Sequence, residues 1–410
     1  MQTNERIITP VLLGADLNCY NVARAFHEAY GVISYAFGRY PIGATMHSRI
    51  VRFTAVENFN NPSVMVDTLD EFAREHNRRG ETLILIGCTD EYVNLIIANK
   101  PLLHRYVTPY IDQELSEDIT LKDHFYGYCE KFGIPYPKTW ILKKGDKLEL
   151  PPEQYPVIVK PSSSIEYWHH PFDGMKKVYR ARNEAQALKI IGDIFDSGYS
   201  EKIIVQDMIP GDDQRMYTMT AYCNREGKVV YMCLGHVLLE EHTPKGLGNH
   251  AAILTTRNDE LALKLKDFLE AIHYRGFANF DIKFDTRDST FKLFEVNIRQ
   301  GRSNYYVTAS GMNIARLIVE DWVEEKPYTG CKLDCEEIYW RYIPDSIVYK
   351  YSDPENIARV KALKKAGKAF SSMRYAYDLR MNPWRWAFVH VHEFKHIGKY
   401  KKYYNKKELS

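Results

Sequence analysis

In the stretch 277–303, FANFDIKFDTRDSTFKLFEVNIRQGRS, polar residues fall at alternate positions: Asn279, Asp281 and Lys283, then Glu295, Asn297 and Arg299. Asp281, Glu295 and Asn297 offer only oxygen ligands, the donor set that Mg²⁺ takes when it also holds phosphate oxygens. Arg299 beside them suits the balancing of phosphate charge. The same residues would also make an ordinary solvated sheet face.

Two strands joined by a tight turn must carry this set. The alternation predicts strands over 277–285 and 290–298, because successive strand side chains point to opposite faces. The other faces then hold Ala278, Phe280, Ile282 and Phe284, and Phe294, Val296 and Ile298, a core layer.

Upstream, Val157–Val159 reads as a strand ending in Lys160 and followed by Ser162, Ser163 and Ser164. An ammonium beside hydroxyls and loop N–H groups can meet phosphate, and an edge lysine with a flexible loop is the plainer alternative. GxxxxGK[ST] is absent, so this is no Walker A loop. Lys202–Met208 is a further strand that leaves through Ile209-Pro-Gly, a hinge-like exit. Asp212 and Asp213 follow it, either as a plain turn or as a place for a ribose hydroxyl.

The earlier chain reads as α/β. Ile7–Gly14 and Thr82–Gly87 are buried-strand candidates, and 18–29 has helical apolar spacing. Asp16, Asn18 and Asp90 lie just past strand ends, where ligands collect in open sheets, although helix capping also suits them. A lone glycine there excludes a dinucleotide fingerprint. The acidic stretch 111–121 marks a boundary. Lys122 then opens a helix that stops at Gly133 ahead of Pro135 and Pro137. Residues 184–195 and 259–274 read as amphipathic helices, and 218–223 with 229–234 as a hairpin. The Gly-rich loop 240–250, with His242, Lys245 and His250, reads as a closing loop or a connection.

At 410 residues the chain can hold two or three domains, and 45% hydrophobic with 26% charged residues is the balance of a folded protein. A net charge of +2 argues against bulk nucleic-acid binding. Seven scattered cysteines read as free thiols in a reducing compartment, and the Cys331/Cys335 pair lacks the company zinc requires. MQTNERIITP has no apolar signal core, so a cytoplasmic location is expected.

Taken in order, Lys122, Lys160-Pro-Ser-Ser-Ser, Gln206-x-Met208-Ile209-Pro-Gly, Asp281 and Glu295-x-Asn297 resemble the ATP-grasp superfamily of carboxylate–amine ligases over about residues 1–328. The resemblance implies an α/β (α+β) ATP-grasp fold with an N-terminal Rossmann-like domain over 1–115, an ATP-grasp domain over 116–328 and a basic extension over 329–410. It implies ATP and Mg²⁺, or Mn²⁺, as cofactors. Lys122 and Lys160 would meet ATP phosphates with Ser162, Ser163 and Ser164. The backbone of Gln206, Met208 and Ile209 would read adenine, and Asp213 the ribose. Asp281, Glu295 and Asn297 would ligate the metal, and Arg299 and Arg302 would act on phosphate or substrate carboxylate.

LLGADLNCYNVARAFHEAYG, LIGCTDEYV and LKDHFYGYCEKFGIPYPKTW look most like the D-aspartate ligases of Gram-positive bacteria. That implies transfer of D-aspartate, through its β-carboxylate, to a lysine amine of a peptidoglycan precursor, such as a UDP-linked muropeptide. Another acid or amine, or an ATP-binding module without turnover, stays open, as does a homodimer. No general base is visible, with His250 and Asp90 as candidates.

Past Pro327 the resemblance fades into an aromatic and basic tail. Its lysines (395, 399, 401, 402, 406 and 407) read first as the solvated end of a docked helix pair, with an anionic membrane face, anionic cell-wall precursors or nucleic acid as the alternatives. Removing residues 380–410 is expected to leave turnover largely intact.

Overall fold

The computed structural model describes residues 7–176, 178–244 and 246–404. It divides into two compact units: 1–116 with 212–280 and 297–410, and 117–211 with 281–296. The first break, between 116 and 117, falls in the acidic stretch 111–121, while the later breaks differ from the linear segments 116–328 and 329–410. The acidic stretch expected to mark a boundary contains the helix Gln113–Thr120.

In the larger unit, strands β1 (Ile7–Leu13), β2 (Ser34–Gly38), β3 (Val51–Ala55), β4 (Glu81–Gly87) and β5 (Tyr106–Val107) form a sheet of order β3-β2-β1-β4-β5. β1 pairs with β2 and β4, β2 with β3, and β4 with β5, all in parallel. Parallel strands are covered on both faces, which is why the apolar runs of β1 and β4 lie at the centre. The order reverses between β1 and β4, whose C-terminal ends therefore open the crevice in which such sheets hold ligands.

The smaller unit has β6 (Thr139–Leu142), β7 (Val157–Pro161), β8 (Tyr179–Ala181) and β9 (Ile203–Asp207), in order β6-β9-β7-β8 and antiparallel. Val157, Val159, Ile203 and Val205 pack on Ala187, Ile194 and Phe195 of the helix Glu184–Asp196.

A third sheet holds β10 (Met216–Cys223), β11 (Val229–Glu240), β12 (His250–Thr256), β13 (Gly276–Asp285), β14 (Thr290–Asn297), β15 (Tyr339–Arg341) and β16 (Ala369–Ser371). Its order is β14-β13-β10-β11-β12-β15-β16. The hairpin β13–β14 is the pair of strands read from the alternation. Ala278, Phe280, Ile282, Val296 and Ile298 are buried, as the apolar face requires. Asn279 departs from it: its polar face is also buried, and its Oδ1 accepts from Thr218 at 3.2 Å and Thr220 at 2.9 Å. Gly276, at φ +85°, must be glycine, since a Cβ there would lie 2.1 Å from the Pro109 carbonyl oxygen.

The C-terminal segment is built into the larger unit. β15 pairs with β12, and β16 extends the edge. Trp340, Tyr339, Val389 and Tyr400 join one core with Leu12, Tyr20 and Phe26. The last helix, Pro383–Tyr403, docks through Arg385, whose side chain is fully buried. Its Nη1 donates to the carbonyls of Ala44 (2.7 Å) and Met46 (2.8 Å), and its Nε lies 3.1 Å from Asp378. Asp378 also accepts from Tyr20 Oη and the Arg49 N–H. Of the basic tail, Lys406 and Lys407 lie outside the described residues.

The expectation that residues 380–410 are dispensable is therefore corrected: their removal would expose Tyr20 and leave Asp378 buried without its cation. Arg385→Ala should lower unfolding stability by about 3–5 kcal/mol, the usual cost of breaking a buried ion pair from one side. A urea midpoint equal to that of the parent protein would show that Arg385 does not hold the helix down.

Candidate active site

In the smaller unit, Lys160 lies near the end of β7, opposite Ile204 of β9. Its Nζ donates to Gln206 Oε1 at 3.1 Å and to Tyr126 Oη at 3.4 Å. Gln206 Nε2 in turn donates to Tyr126 Oη (2.9 Å) and Thr139 Oγ1 (2.8 Å). Tyr126 Oη donates to the Phe294 carbonyl at 2.9 Å, which ties the helix Lys122–Lys131 to β14. Lys160, Gln206 and Tyr126 are all buried, and burial holds the Tyr126 phenol well above its ordinary pKa, so it stays a donor. Lys160 is thus a preset cation, and Gln206 acts here through its side chain.

Lys122 is the first residue of its helix, and its Nζ lies 3.4 Å from Glu295 Oε2 on β14. A cation beside this carboxylate is what a site for positive charge predicts. Asp281 stands on the neighbouring β13. Asn297, two residues past Glu295 on β14, belongs to the larger unit, where its Nδ2 donates to the Asn279 carbonyl at 3.3 Å. Among the described residues, no group of three or more His, Cys, Asp or Glu side chains is gathered. Within the smaller unit, Asp281 and Glu295 offer only oxygen, the donor chemistry of a hard cation.

The serines differ from the expected flexible loop. Ser163 caps a helix, Ser164–His169, accepting from the Glu166 N–H at 3.4 Å. Its own N–H donates to Tyr199 Oη at 3.1 Å. The Ser162 N–H donates to the Lys202 carbonyl at 3.0 Å, and the Ser164 side chain lies outside what is described. Ser-x-x-Glu is a capping pattern, so the helix start had a signal in the sequence.

Sequence reasoning gave no role to Lys283 or Arg287. Lys283 Nζ donates to the carbonyls of Ile209 (3.0 Å) and Gly211 (2.7 Å), pinning the hinge-like exit of β9, where Ile209 is buried. Arg287 bridges Asp285 and Asp207, and this holds the Asp285 carboxyl far below the usual range.

The larger unit carries the arginines. Arg299 forks onto Asp90, Nε–Oδ1 2.7 Å and Nη2–Oδ2 3.1 Å. Arg302 Nη1 lies 3.2 Å from Glu241, and its guanidinium stands 4.9 Å over the Tyr342 ring. Gly301 between them must be small, since a Cβ would lie 2.7 Å from Asn279 Oδ1. The loop is moored to both strand ends: Asn18 Nδ2 donates to the carbonyls of Cys88 (2.9 Å) and Gln300 (3.2 Å), and Gln300 Nε2 to Gly87 (3.1 Å). Asp16 caps the helix Leu17–Tyr30, as capping chemistry predicts, and burial raises its pKa against the pull of Arg302. Asp90 is no cap; Thr89 fills that place.

Asp213 is already engaged: its Oδ2 accepts from the Glu240 N–H at 2.9 Å and meets His242 Nε2 at 2.8 Å. Lys245 of that loop lies outside the described residues. Behind Arg302, Tyr342 Oη meets His392 Nε2 at 2.7 Å, which lies 3.2 Å from His396 Nε2. The C-terminal helix therefore backs the arginine, a connection that no local pattern encodes.

His250 is pushed down to about 4 by burial and then by Arg302. His392 is pushed down to about 4 by burial, then by Lys399 and Arg302. Both are neutral where an exposed histidine begins to charge, so the unfolded chain takes up the protons first below about pH 6.5. Stability is whole above that pH and falls as pH drops toward 4. Urea midpoints should decline between about pH 6.5 and 5, ahead of the carboxylates, and His392→Gln should flatten the decline. A flat profile in that window would mean that these imidazoles charge in the folded protein. Separately, Tyr126→Phe should cost about 1–3 kcal/mol by orphaning the Phe294 carbonyl and a Gln206 donor. An unchanged denaturation midpoint would remove Tyr126 from that role.

Over 417 residues the chain is 37% identical to the D-aspartate ligase of Enterococcus faecium (strain Aus0004), covering 99% of this chain and 98% of that protein. The similarity thus runs through the tail, where the motif resemblance had faded. No family model matches the chain. Among solved structures, L-amino acid ligase from Bacillus licheniformis matches with TM-score 0.54 and 14% identity, over 77% of this chain and 74% of that one. The biotin carboxylase domain of Hydrogenobacter thermophilus 2-oxoglutarate carboxylase, in complex with MgADP, matches with TM-score 0.58 and 13% identity, over 80% and 73%. N5-carboxyaminoimidazole synthetase from Staphylococcus aureus, complexed with ADP, matches with TM-score 0.53 and 12% identity, over 80% and 79%. The shared fold is ATP-grasp.

Proposed function

Since the chain belongs to the D-aspartate ligase family and is an ATP-dependent ligase, we propose that it joins D-aspartate to the side-chain amine of a lysine-containing peptidoglycan precursor. The observation that carries this reading is the relationship along 99% of the chain to a D-aspartate ligase. Two of the structural relatives were solved with ADP or MgADP, which supports ATP and Mg²⁺ as the cofactors here.

The chemistry follows from a carboxylate being a poor electrophile. A β-carboxylate oxygen attacks the γ-phosphorus of ATP, the bond to ADP breaks, and an acyl phosphate forms. The lysine amine then attacks the acyl carbon. The tetrahedral intermediate expels phosphate, which takes the nitrogen's proton directly or through water. Both steps rest on positioning and charge.

Lys160 and Lys122 are assigned to the ATP phosphates, with Ser162 and Ser163 beside Lys160. The buried contact of Lys160 with Gln206 keeps its ammonium in one place. The backbone of residues 206–209, steadied by Lys283, is assigned to adenine, and Asp213 to the ribose. Asp281, Glu295 and Asn297 would hold Mg²⁺, which neutralises charge on phosphoryl oxygens. Lys122 beside Glu295 supports a cation-binding role for that carboxylate.

The acid substrate carries two carboxylates and an ammonium. Arg299 and Arg302 match the first two, and Asp16, with Asp90 and Glu241, the third. Both arginines already hold carboxylates in the protein, so a dicarboxylic substrate would exchange partners with them. Arg302 is also assigned to the oxyanion of the second step.

ADP release should require Mg²⁺, D-aspartate and a lysine-containing UDP-muropeptide, and mass spectrometry should find the acceptor heavier by one aspartyl residue. Release with a different acid would keep the ligase and discard the substrate, while ATP binding without turnover across the panel would favour a non-catalytic module. Glu295→Gln should lower Mg²⁺-dependent turnover at least about a hundredfold with the fold unchanged by circular dichroism. A variant with parental turnover would take Glu295 out of the metal site.

A further inference from the structure

The last helix, Pro383–Tyr403, is amphipathic in an unusual sense. Arg385, Val389, Glu393, His396 and Tyr400 are its buried face. The opposite face repeats at the same helical spacing and is apolar: Trp384, Ala387, Val391 and Phe394. Trp384 is 74% exposed, Phe394 75% and Val391 52%, and Met381 just before the helix is 90% exposed. Leaving a regular stripe of large apolar side chains in water is costly, and such stripes mark surfaces that are covered in use. The segment beneath the helix start extends the patch. Met46, whose carbonyl holds Arg385, is itself exposed, and the His47 ring lies 6.5 Å from that of Trp384. A groove of about 290 Å³, lined by His47, Phe388 and Lys395 with Trp384, Ala387 and Val391 of the stripe, runs beside it.

The charge on the helix indicates the cover. Its exposed charged residues are Lys395, Lys399, Lys401 and Lys402. Its one acidic residue, Glu393, is buried and forked onto Arg374 at 2.8 and 2.6 Å. A second copy seated on this stripe would bring two sets of lysines together with no exposed carboxylate on either helix to offset them. An anionic lipid surface supplies both missing halves: acyl chains for the tryptophan and phenylalanine, and headgroup charge for the lysines. Among the described residues no helix is long and apolar enough to cross a membrane, so the contact would lie in the plane of the interface.

We propose that the solvent-facing stripe of the C-terminal helix, with its flanking lysines, is a docking surface for anionic membranes. The inference does not rest on the ligase reading. If that reading holds as well, the acceptor is modified by an enzyme resting on a bilayer.

The test is co-sedimentation of the full chain with vesicles of phosphatidylglycerol and phosphatidylcholine in equal parts, against vesicles of phosphatidylcholine alone. The protein should sediment with the first and not the second, with a blue shift of tryptophan emission. Trp384→Ser with Phe394→Ser should weaken binding about tenfold or more, and Lys395→Gln with Lys401→Gln and Lys402→Gln should remove its salt sensitivity. All these side chains are exposed, so thermal stability and turnover on soluble substrates should stay at the parental level. Absence of sedimentation with a parental emission spectrum, or parental binding by the double aromatic variant, would overturn the proposal. So would a dimer in light scattering that the aromatic variant converts to a monomer without any vesicle binding, which would assign the stripe to a second copy.

Discussion

A charge taken partly out of water must meet an opposite charge or pay several kcal/mol for its absence. This constraint organises the candidate site within each unit. Lys122 rests against Glu295, Arg299 forks onto Asp90, and Arg302 reaches Glu241. The side chains proposed to take a dicarboxylic amino acid and a nucleotide thus already hold one another in substrate-like pairs. On that proposal, binding is an exchange of partners, with specificity in the pattern of charges a ligand brings. Such a pattern favours a zwitterion with an additional carboxylate over a simple monocarboxylic acid.

The same constraint anchors the C-terminal segment. Arg385 stands between two tryptophans in a run that looks solvated, yet its side chain is fully buried beside Asp378. With that pair in place the helix lays His392 against Tyr342, and Tyr342 against Arg302. The last helix therefore supports a proposed substrate arginine on one side and presents an apolar stripe on the other. This dual position accords with the similarity to the Enterococcus faecium protein, which includes nearly the whole of both chains.

Neutral groups complete the arrangement. Gln206, Tyr126 and Thr139 form a hydrogen-bonded chain beneath Lys160, and Lys283 grips two carbonyls of the segment leaving β9. Buried polar groups of this kind are costly if left half-satisfied and rigid once paired.

What repeats over a few residues was legible in the order of amino acids alone. Alternation marked β13 and β14 and placed Glu295 and Asn297 on one face. Apolar runs marked β1, β4, β7 and β9, and stop signals ended the helix that begins at Lys122. The order of these motifs was enough to identify the superfamily. The partners came from the folded chain: Arg299 meets Asp90 across 209 positions, Asn18 meets Gln300 across 282, and Arg385 lies beneath the surface its composition suggested. Folding also buried Asn279, which alternation had assigned to an open face. Periodicity is a property of the local backbone and can be read one strand or helix at a time. Charge pairing and burial depend on which distant segments the fold brings to the same few ångströms, and no local pattern carries that information.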